Sequence, residues 1–240
     1  MLSDDEVQRA LVISAHPDDV DFGSAGTVAT WTDAGIEVAY CIVTDGEAGG
    51  FDPSVPRDEI RRIRRAEQTA AAKEVGVTDL TFLGYPDGRL VATLELRRDL
   101  SRAIRQVRPQ RVLCPSPERN WQRIYASHPD HLAAGDASLA AVYPDARNPF
   151  AHPELLDEGY EPWMVSEVWM MAAPSPNRWV DITDALPRKL DALRSHVSQH
   201  TDADGLLEER MRGWGQFVAK EAGFPEDRLA EAFFVIDSAG

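Results

Sequence analysis

Short apolar runs alternate along the chain with longer stretches in which apolar positions recur every three or four residues. "ALVISA" (10–15), "EVAYCIVT" (37–44), "LTFLGY" (80–85) and "RVLCPS" (111–116) read as short buried strands. Between them, 24–34, 58–76 and 94–107 carry helical spacing, and the first two close on Gly35 and Gly76, as helix C-termini do. Strand–helix–strand alternation predicts an α/β fold, a parallel sheet covered by helices on both faces. In such sheets a ligand site lies beyond the carboxyl ends of the strands.

The second half is less regular. Residues 143–165, "YPDARNPFAHPELLDEGYEPWMV", form a long excursion rich in Pro, Asp and aromatics, expected as a rim or lid over the site. "SEVWMMA" (166–172), "RWVDIT" (178–183) and "AEAFFVID" (230–237) read as further strands, with helices near 184–198 and 204–222. Internal repeats and low-complexity segments are absent, so residues 1–240 read as one domain.

Composition narrows the function. A formal charge of −15 argues against a nucleic acid or an anionic membrane surface as partner. The one basic cluster, Arg61, Arg62, Arg64 and Arg65, sits at helical spacing and is expected mostly as a solvated helix face. Cys41 and Cys114 each fall inside a strand-like run, which suits buried thiols in a reducing compartment. "MLSDDEVQRA" lacks the basic-then-apolar pattern of a signal peptide, and no run approaches a membrane span in length. A cytoplasmic location is the expectation.

The chemistry concentrates in two places. "AHPDD" (15–19) follows the first strand, and "SHPDHL" (127–132) follows the fourth. Pro129 suits a first helical position, Asp130 complements the helix dipole in the first turn, and His128 and His131 project from one face. His16 and Asp19, joined by a histidine of the second segment, make a two-His, one-carboxylate set that leaves a position open for water. Asp18 is then spare to take a proton from that water. His128 is spare to donate to an oxyanion. A structural metal site would use four protein ligands and need neither spare group. Each motif alone is a capped turn; the pair at one sheet edge is what points to metal chemistry. Zinc suits the set, and iron(II) suits it nearly as well.

"AHPDD", "AGT" (25–27), "TDGEAGG" (44–50), "RRAEQTAAA" (64–72) and "HPDH" (128–131), in this order, resemble the zinc-dependent PIG-L/LmbE-like de-N-acetylases. "DITDALPRKLDALRSHVSQH" (181–200) and "AEAFFV" extend the resemblance over nearly the whole chain. It implies a Rossmann-like fold, a small N-acetylated substrate and a site assigned residue by residue. His16, Asp19 and His131 would be the metal ligands and Asp18 the general base. His128 would stabilise the oxyanion, Asp130 would orient a histidine, and Arg64 would hold the sugar. His196, in "HVSQ", matches a family feature that either packs a helix or reaches the pocket. His152 and His200 are expected at the surface. Gly50, and Ala126 with Tyr125 beside it, depart from the mycothiol-pathway members, which speaks against that substrate and leaves the hydrolytic groups untouched.

Two rivals differ in kind. A phospho-receiver domain would use Asp87 of "GYPDG" as acceptor, but it lacks the required lysine and leaves "HPDH" unexplained. A second reading keeps the fold and metal but hydrolyses another amide, such as a thiol conjugate or natural product, or binds metal without turnover. Whether the chain self-associates is left open, since aromatics of the long loop suit either a lid or a homo-oligomer contact.

Overall fold

In the computed structural model, which describes residues 1–50, 52–199 and 205–239, β1 (Arg9–Ser14) lies at the centre of the sheet. Its side chains alternate between two apolar layers: Ala10 and Val12 join one core, Leu11 and Ile13 the other. Being buried on both faces, it reads as a continuous apolar run. After it come α1 (Asp19–Gly23), α2 (Ala25–Asp33), β2 (Glu37–Thr44), α3 (Arg57–Glu74), β3 (Asp79–Tyr85), α4 (Leu94–Val107) and β4 (Arg111–Pro115). The chain continues through α5 (Pro129–Ala140), α6 (Glu154–Asp157), β5 (Glu167–Met171), β6 (Arg178–Asp181), α7 (Leu186–Arg194), α8 (Leu207–Glu221) and β7 (Ala230–Asp237).

The seven strands run in the order β3-β2-β1-β4-β5-β7-β6. β1 to β5 are mutually parallel, as the alternation predicts, and β7 is antiparallel to both β5 and β6. Helices α2, α3 and α7 cover one face; α4 and α5 cover the other. Gly76 closes α3 at φ +82°, a left-handed conformation that glycine adopts without steric cost. The order reverses between β1 and β4, which opens a crevice at their carboxyl ends. Gly135 lets α5 start hard against the end of β4, because a Cβ there would collide with the Pro115 carbonyl. Cys41 and Cys114 are free and buried, and burial pushes both thiols up to about 12. Among the described residues no helix is long and apolar enough to cross a membrane.

The long excursion lies elsewhere than expected. α5 starts at the carboxyl edge, and its 12 residues carry the chain about 18 Å back towards the amino edge. There the buried Arg105 of α4 donates to the carbonyls of Asp145 (3.0 Å), Ala146 (3.1 Å), Asn148 (3.0 Å) and Ala151 (3.1 Å). Trp163 Nε1 donates to the Pro109 carbonyl at 2.7 Å, just before β4 begins. Residues 143–165 are thus fastened at the end opposite the crevice. His152 is half-buried rather than at the surface, with Nε2 3.2 Å from Asp145; His200 lies outside the described residues.

Candidate metal centre

The turn leaving β1 carries His16, Asp18 and Asp19, and the start of α5 carries His128, Asp130 and His131. Asp18 sits at φ +86°, a left-handed conformation that costs a non-glycine residue about 1 kcal/mol and that Asp tolerates better than most. Its carbonyl accepts the N–H groups of Asp21 and Phe22 at 2.9 and 3.0 Å, which starts α1. The His16 N–H donates to Asp19 Oδ2 at 2.8 Å, so Asp19 Oδ1 faces across the crevice. His128 is the N-cap of α5 rather than part of its first turn, and its Nδ1 accepts the Asp130 N–H at 3.2 Å. That bond leaves the proton of a neutral ring on Nε2.

Three donors converge. His16 Nδ1 lies 3.2 Å from His131 Nε2, His131 Nε2 lies 3.0 Å from Asp19 Oδ1, and His16 Nδ1 lies 3.5 Å from Asp19 Oδ2. A tetrahedral ion with bonds of about 2.0–2.1 Å needs donor–donor edges of about 3.3 Å, so the set fits a small divalent cation. A ring nitrogen of His128 lies within 4.8 Å of those of His16 and His131. Behind the donors, His16 Nε2 is 3.0 Å from Asp87 Oδ1 and 3.4 Å from Asp130 Oδ2. Carboxylates in that position fix ring orientation and basicity.

His16, Asp87 and Asp130 form a second convergent group, but its oxygens are already engaged. Asp130 accepts N–H groups from Gly88 (2.7 Å) and Leu90 (3.2 Å), and Asp87 Oδ2 accepts from Ala48 (2.9 Å). Fully buried, it also offers no open position for water or substrate. It reads as the support of His16.

The charges agree with the donor geometry. Burial opposes a proton on His16, but Asp19, Asp130 and Asp87 outweigh it and raise His16 to about 12. Burial likewise opposes ionisation of Asp19, which His131 and His16 nevertheless hold well below the usual carboxylate range. Asp87, buried beside His16, is drawn down to about 2. Burial and the charges of His16 and His131 lower His128, keeping it neutral. Protons trapped among carboxylates are what a divalent cation displaces.

Arg64, expected to hold a sugar, is buried and its guanidinium is engaged by protein acceptors. Its Nη1 donates to the Gly46 carbonyl (2.8 Å), its Nη2 donates to the Pro17 carbonyl (2.7 Å), and Nη2 lies 3.2 Å from Asp18 Oδ2. Of the arginine cluster, Arg64 alone is buried; Arg62 and Arg65 are exposed and Arg61 is half-buried, so the expected solvated face holds for most of it and fails at Arg64. Arg61 meets Glu47 at 3.0 Å and the exposed Asp58 at 3.3 Å, Arg65 grips Asp45 at 2.7 and 2.8 Å, and Arg62 pairs with Glu59. Glu47 accepts the Asp87 N–H at 3.1 Å, which ties the loop after β2 to the loop after β3. Asp87, expected above only as the acceptor of a phospho-receiver domain, instead supports His16, and its place after a strand at the same edge is the sequence signal for that role. His196 is fully buried with Nε2 2.7 Å from Asp21 Oδ2.

The segment that runs into His128 carries an exposed aromatic rim. Trp121 is 76% and Tyr125 72% exposed, and Arg123 lies 5.3 Å over Tyr125 and 3.9 Å over Trp214 of α8.

Comparison with known proteins agrees with this geometry. Residues 11–142 match the family model described as PIG-L: GlcNAc-PI de-N-acetylase. The chain is 35% identical over 219 residues to diacetylchitobiose deacetylase of Thermococcus kodakarensis, covering 91% of this chain and 80% of that one. It is 29% identical over 199 residues to a probable N-acetyl-alpha-D-glucosaminyl L-malate deacetylase 2 of Bacillus anthracis, covering 80% and 81%. The solved N,N'-diacetylchitobiose deacetylase of Pyrococcus horikoshii, bound to an inhibitor, superposes with a TM-score of 0.88 at 32% identity, covering 98% of this chain and 85% of that one. With a family match over more than half its length and relatives of this likeness along most of the rest, the chain belongs to the PIG-L family of de-N-acetylases.

Proposed function

We propose that this protein is a zinc-dependent hydrolase that removes the N-acetyl group from a small GlcNAc-type molecule, releasing acetate and a free amine. One observation carries the reading: His16, Asp19 and His131 bring their side-chain donors to within 3.0–3.5 Å of one another, with a ring nitrogen of His128 within 4.8 Å of those of His16 and His131. His16 Nδ1, the Asp19 carboxylate and His131 Nε2 would hold the ion. Bound there, it supplies a Lewis acid for an amide carbonyl and acidity for water within its reach.

The rest falls to the chain's own residues. Asp18, held by Arg64, accepts a proton from the attacking water and returns it to the nitrogen as the C–N bond breaks. His128 donates its Nε2–H to the oxygen that gains charge when water adds to the carbonyl carbon. Asp130 and Asp87 keep the His16 ring in place. The relatives named above are deacetylases of N-acetylglucosamine derivatives, and the exposed rings of Trp121 and Tyr125 give the non-reacting part of such a sugar flat faces to stack on.

A free-amine assay on N-acetylglucosamine, diacetylchitobiose and an N-acetylglucosaminyl malate tests the reading. Amine release that disappears with a chelator and returns with zinc is the expected result. A fully metal-loaded protein that releases no amine from any of the three would sink it.

A further inference from the structure

The strained turn that bears Asp18 is held from behind by a buried chain of side chains that takes no direct part in hydrolysis. Arg64 and Gln68, four apart on α3, present one face to this turn. Arg64 holds the Pro17 carbonyl, and Gln68 Oε1 accepts the Asp18 N–H at 2.7 Å. On its other side Gln68 Nε2 donates to Asp21 Oδ2 at 3.0 Å, and the same oxygen lies 2.7 Å from His196 Nε2. Gln68, Asp21 and His196 are all 0% exposed.

The chemistry of this chain is directional. An amide has one acceptor end and one donor end, and whichever end faces Asp21 fixes what faces Asp18. The Asp18 N–H can only donate, so the Gln68 oxygen must face it and the Gln68 NH₂ then faces Asp21 Oδ2, which accepts. His196, from the end of α7, then fixes the carboxylate by donating to it. Were the amide to turn over, its NH₂ would meet the Asp18 N–H donor to donor, and the left-handed turn would lose its main-chain anchor.

We infer that Gln68, Asp21 and His196 are positioning residues that lock the proton-accepting carboxylate of Asp18 in place, with Asp21 acting as the polarity key that sets the orientation of the Gln68 amide. The inference rests on the role proposed for Asp18. It gives a reason for two fully buried polar groups, Asp21 and His196, that touch none of the three donors in the described contacts.

Four variants and two readouts test it. Gln68→Met removes the acceptor with little change in size, and Asp21→Asn removes the polarity key. Each is expected to lower kcat by about 10- to 100-fold while KM and metal content hold, the usual cost of losing a residue that orients a catalytic group. Gln68→Glu sets two carboxylates face to face and should fall as far. The double variant D21N/Q68E exchanges amide and carboxylate: the new amide NH₂ donates to the new carboxylate and to His196 Nε2, which accepts in its other tautomer, so the chain is matched again and kcat should recover to within about threefold of the parent. A merely structural role would give no such recovery. In parallel, hydrogen exchange of the Asp18 amide should quicken in Gln68→Met and return towards the parental rate in the double variant. Unchanged kcat and unchanged exchange in Gln68→Met, or a double variant no better than the worse single one, would overturn the inference. If the parent protein releases no amine, the deacetylase reading fails by itself; exchange at Asp18 then decides, with lost protection in Gln68→Met supporting the clamp and retained protection overturning it.

Discussion

Arg64 and Arg105 are both buried, both reach main-chain carbonyls of a neighbouring loop, and stand at opposite ends of the same sheet. Arg64 joins the turns after β1 and β2 and ends 3.2 Å from Asp18 Oδ2. Arg105 gathers residues 145–151 beneath the amino ends and approaches no candidate ligand. The amino end adds a second buried guanidinium, Arg111, paired with Glu167 at 2.7 Å and flanked by Trp31 and Trp169. Similar chemistry thus serves different ends. At the carboxyl edge an arginine spends its donors on a strained turn that carries the candidate site residues; at the amino edge arginines brace chain that would otherwise leave carbonyls and carboxylates unsatisfied. Position relative to the sheet's polarity, not residue type or loop length, separates a working loop from a structural one.

The sharpest way to break this contrast is at Asp18. Asp18→Ala should keep the fold and the metal and lose at least ~10²-fold in kcat, the worth of a general base. Metal loss in that variant would mean that Asp18 and Asp19 have exchanged roles. The arginine pair comes next. Arg64→Met should lower kcat about 10- to 100-fold with a modest change in melting temperature, since it disturbs the orientation of Asp18. Arg105→Met should do the reverse. It strands several buried carbonyls and is expected to cost about 3 kcal/mol of stability with kcat per folded molecule unchanged. Denaturant unfolding and steady-state kinetics on both variants read this double dissociation, and equal kinetic losses would erase the distinction.

A subtler test concerns protons. In the metal-free protein His16 is raised from 6.5 to about 12, so it is charged at neutral pH, whereas ligation needs its Nδ1 lone pair. Zinc loading at pH 7 should therefore release at least one proton, measurable by titration calorimetry in buffers of different ionisation enthalpy. By the same linkage the metal-free fold has the full benefit of this charge below about pH 6.5 and loses it as pH rises towards 12. Zinc loading with no proton uptake by the buffer would contradict this. The smallest expected effect lies at the rim. Trp121→Ala should raise KM for diacetylchitobiose a few-fold, leave KM for N-acetylglucosamine nearly unchanged, and leave kcat alone, the mark of lost binding common to ground and transition states.

Much of this arrangement is legible in the sequence. "AHPDD" and "HPDH" each follow an apolar run, and parallel strands bring such segments to one edge, so the convergence of His16, Asp19 and His131 needs only sheet polarity and local spacing. The same polarity, followed further, accounts for the misplaced lid: a helix that starts at the carboxyl edge delivers its loop to the amino edge, so residues 143–165 could be assigned there from the length of α5 alone. Other features were out of reach. That Arg64 turns inwards depends on the Gly46 backbone and on Pro17, which lie 18 and 47 residues away. The Asp21–Gln68 bond likewise joins residues 47 apart that no periodicity links. Asp87 meets His16 only because the loops after β1 and β3 close over one another. Motifs report chemistry carried by neighbours in sequence; supporting residues are chosen by the fold.

Metal stoichiometry of the parent protein and of the Asp18→Ala and Asp19→Ala variants tests the central claim most directly. The expected result is about one zinc per chain in the parent and in Asp18→Ala, and none in Asp19→Ala. Zinc retained by Asp19→Ala, or none bound by the parent after reconstitution, would contradict the centre described here.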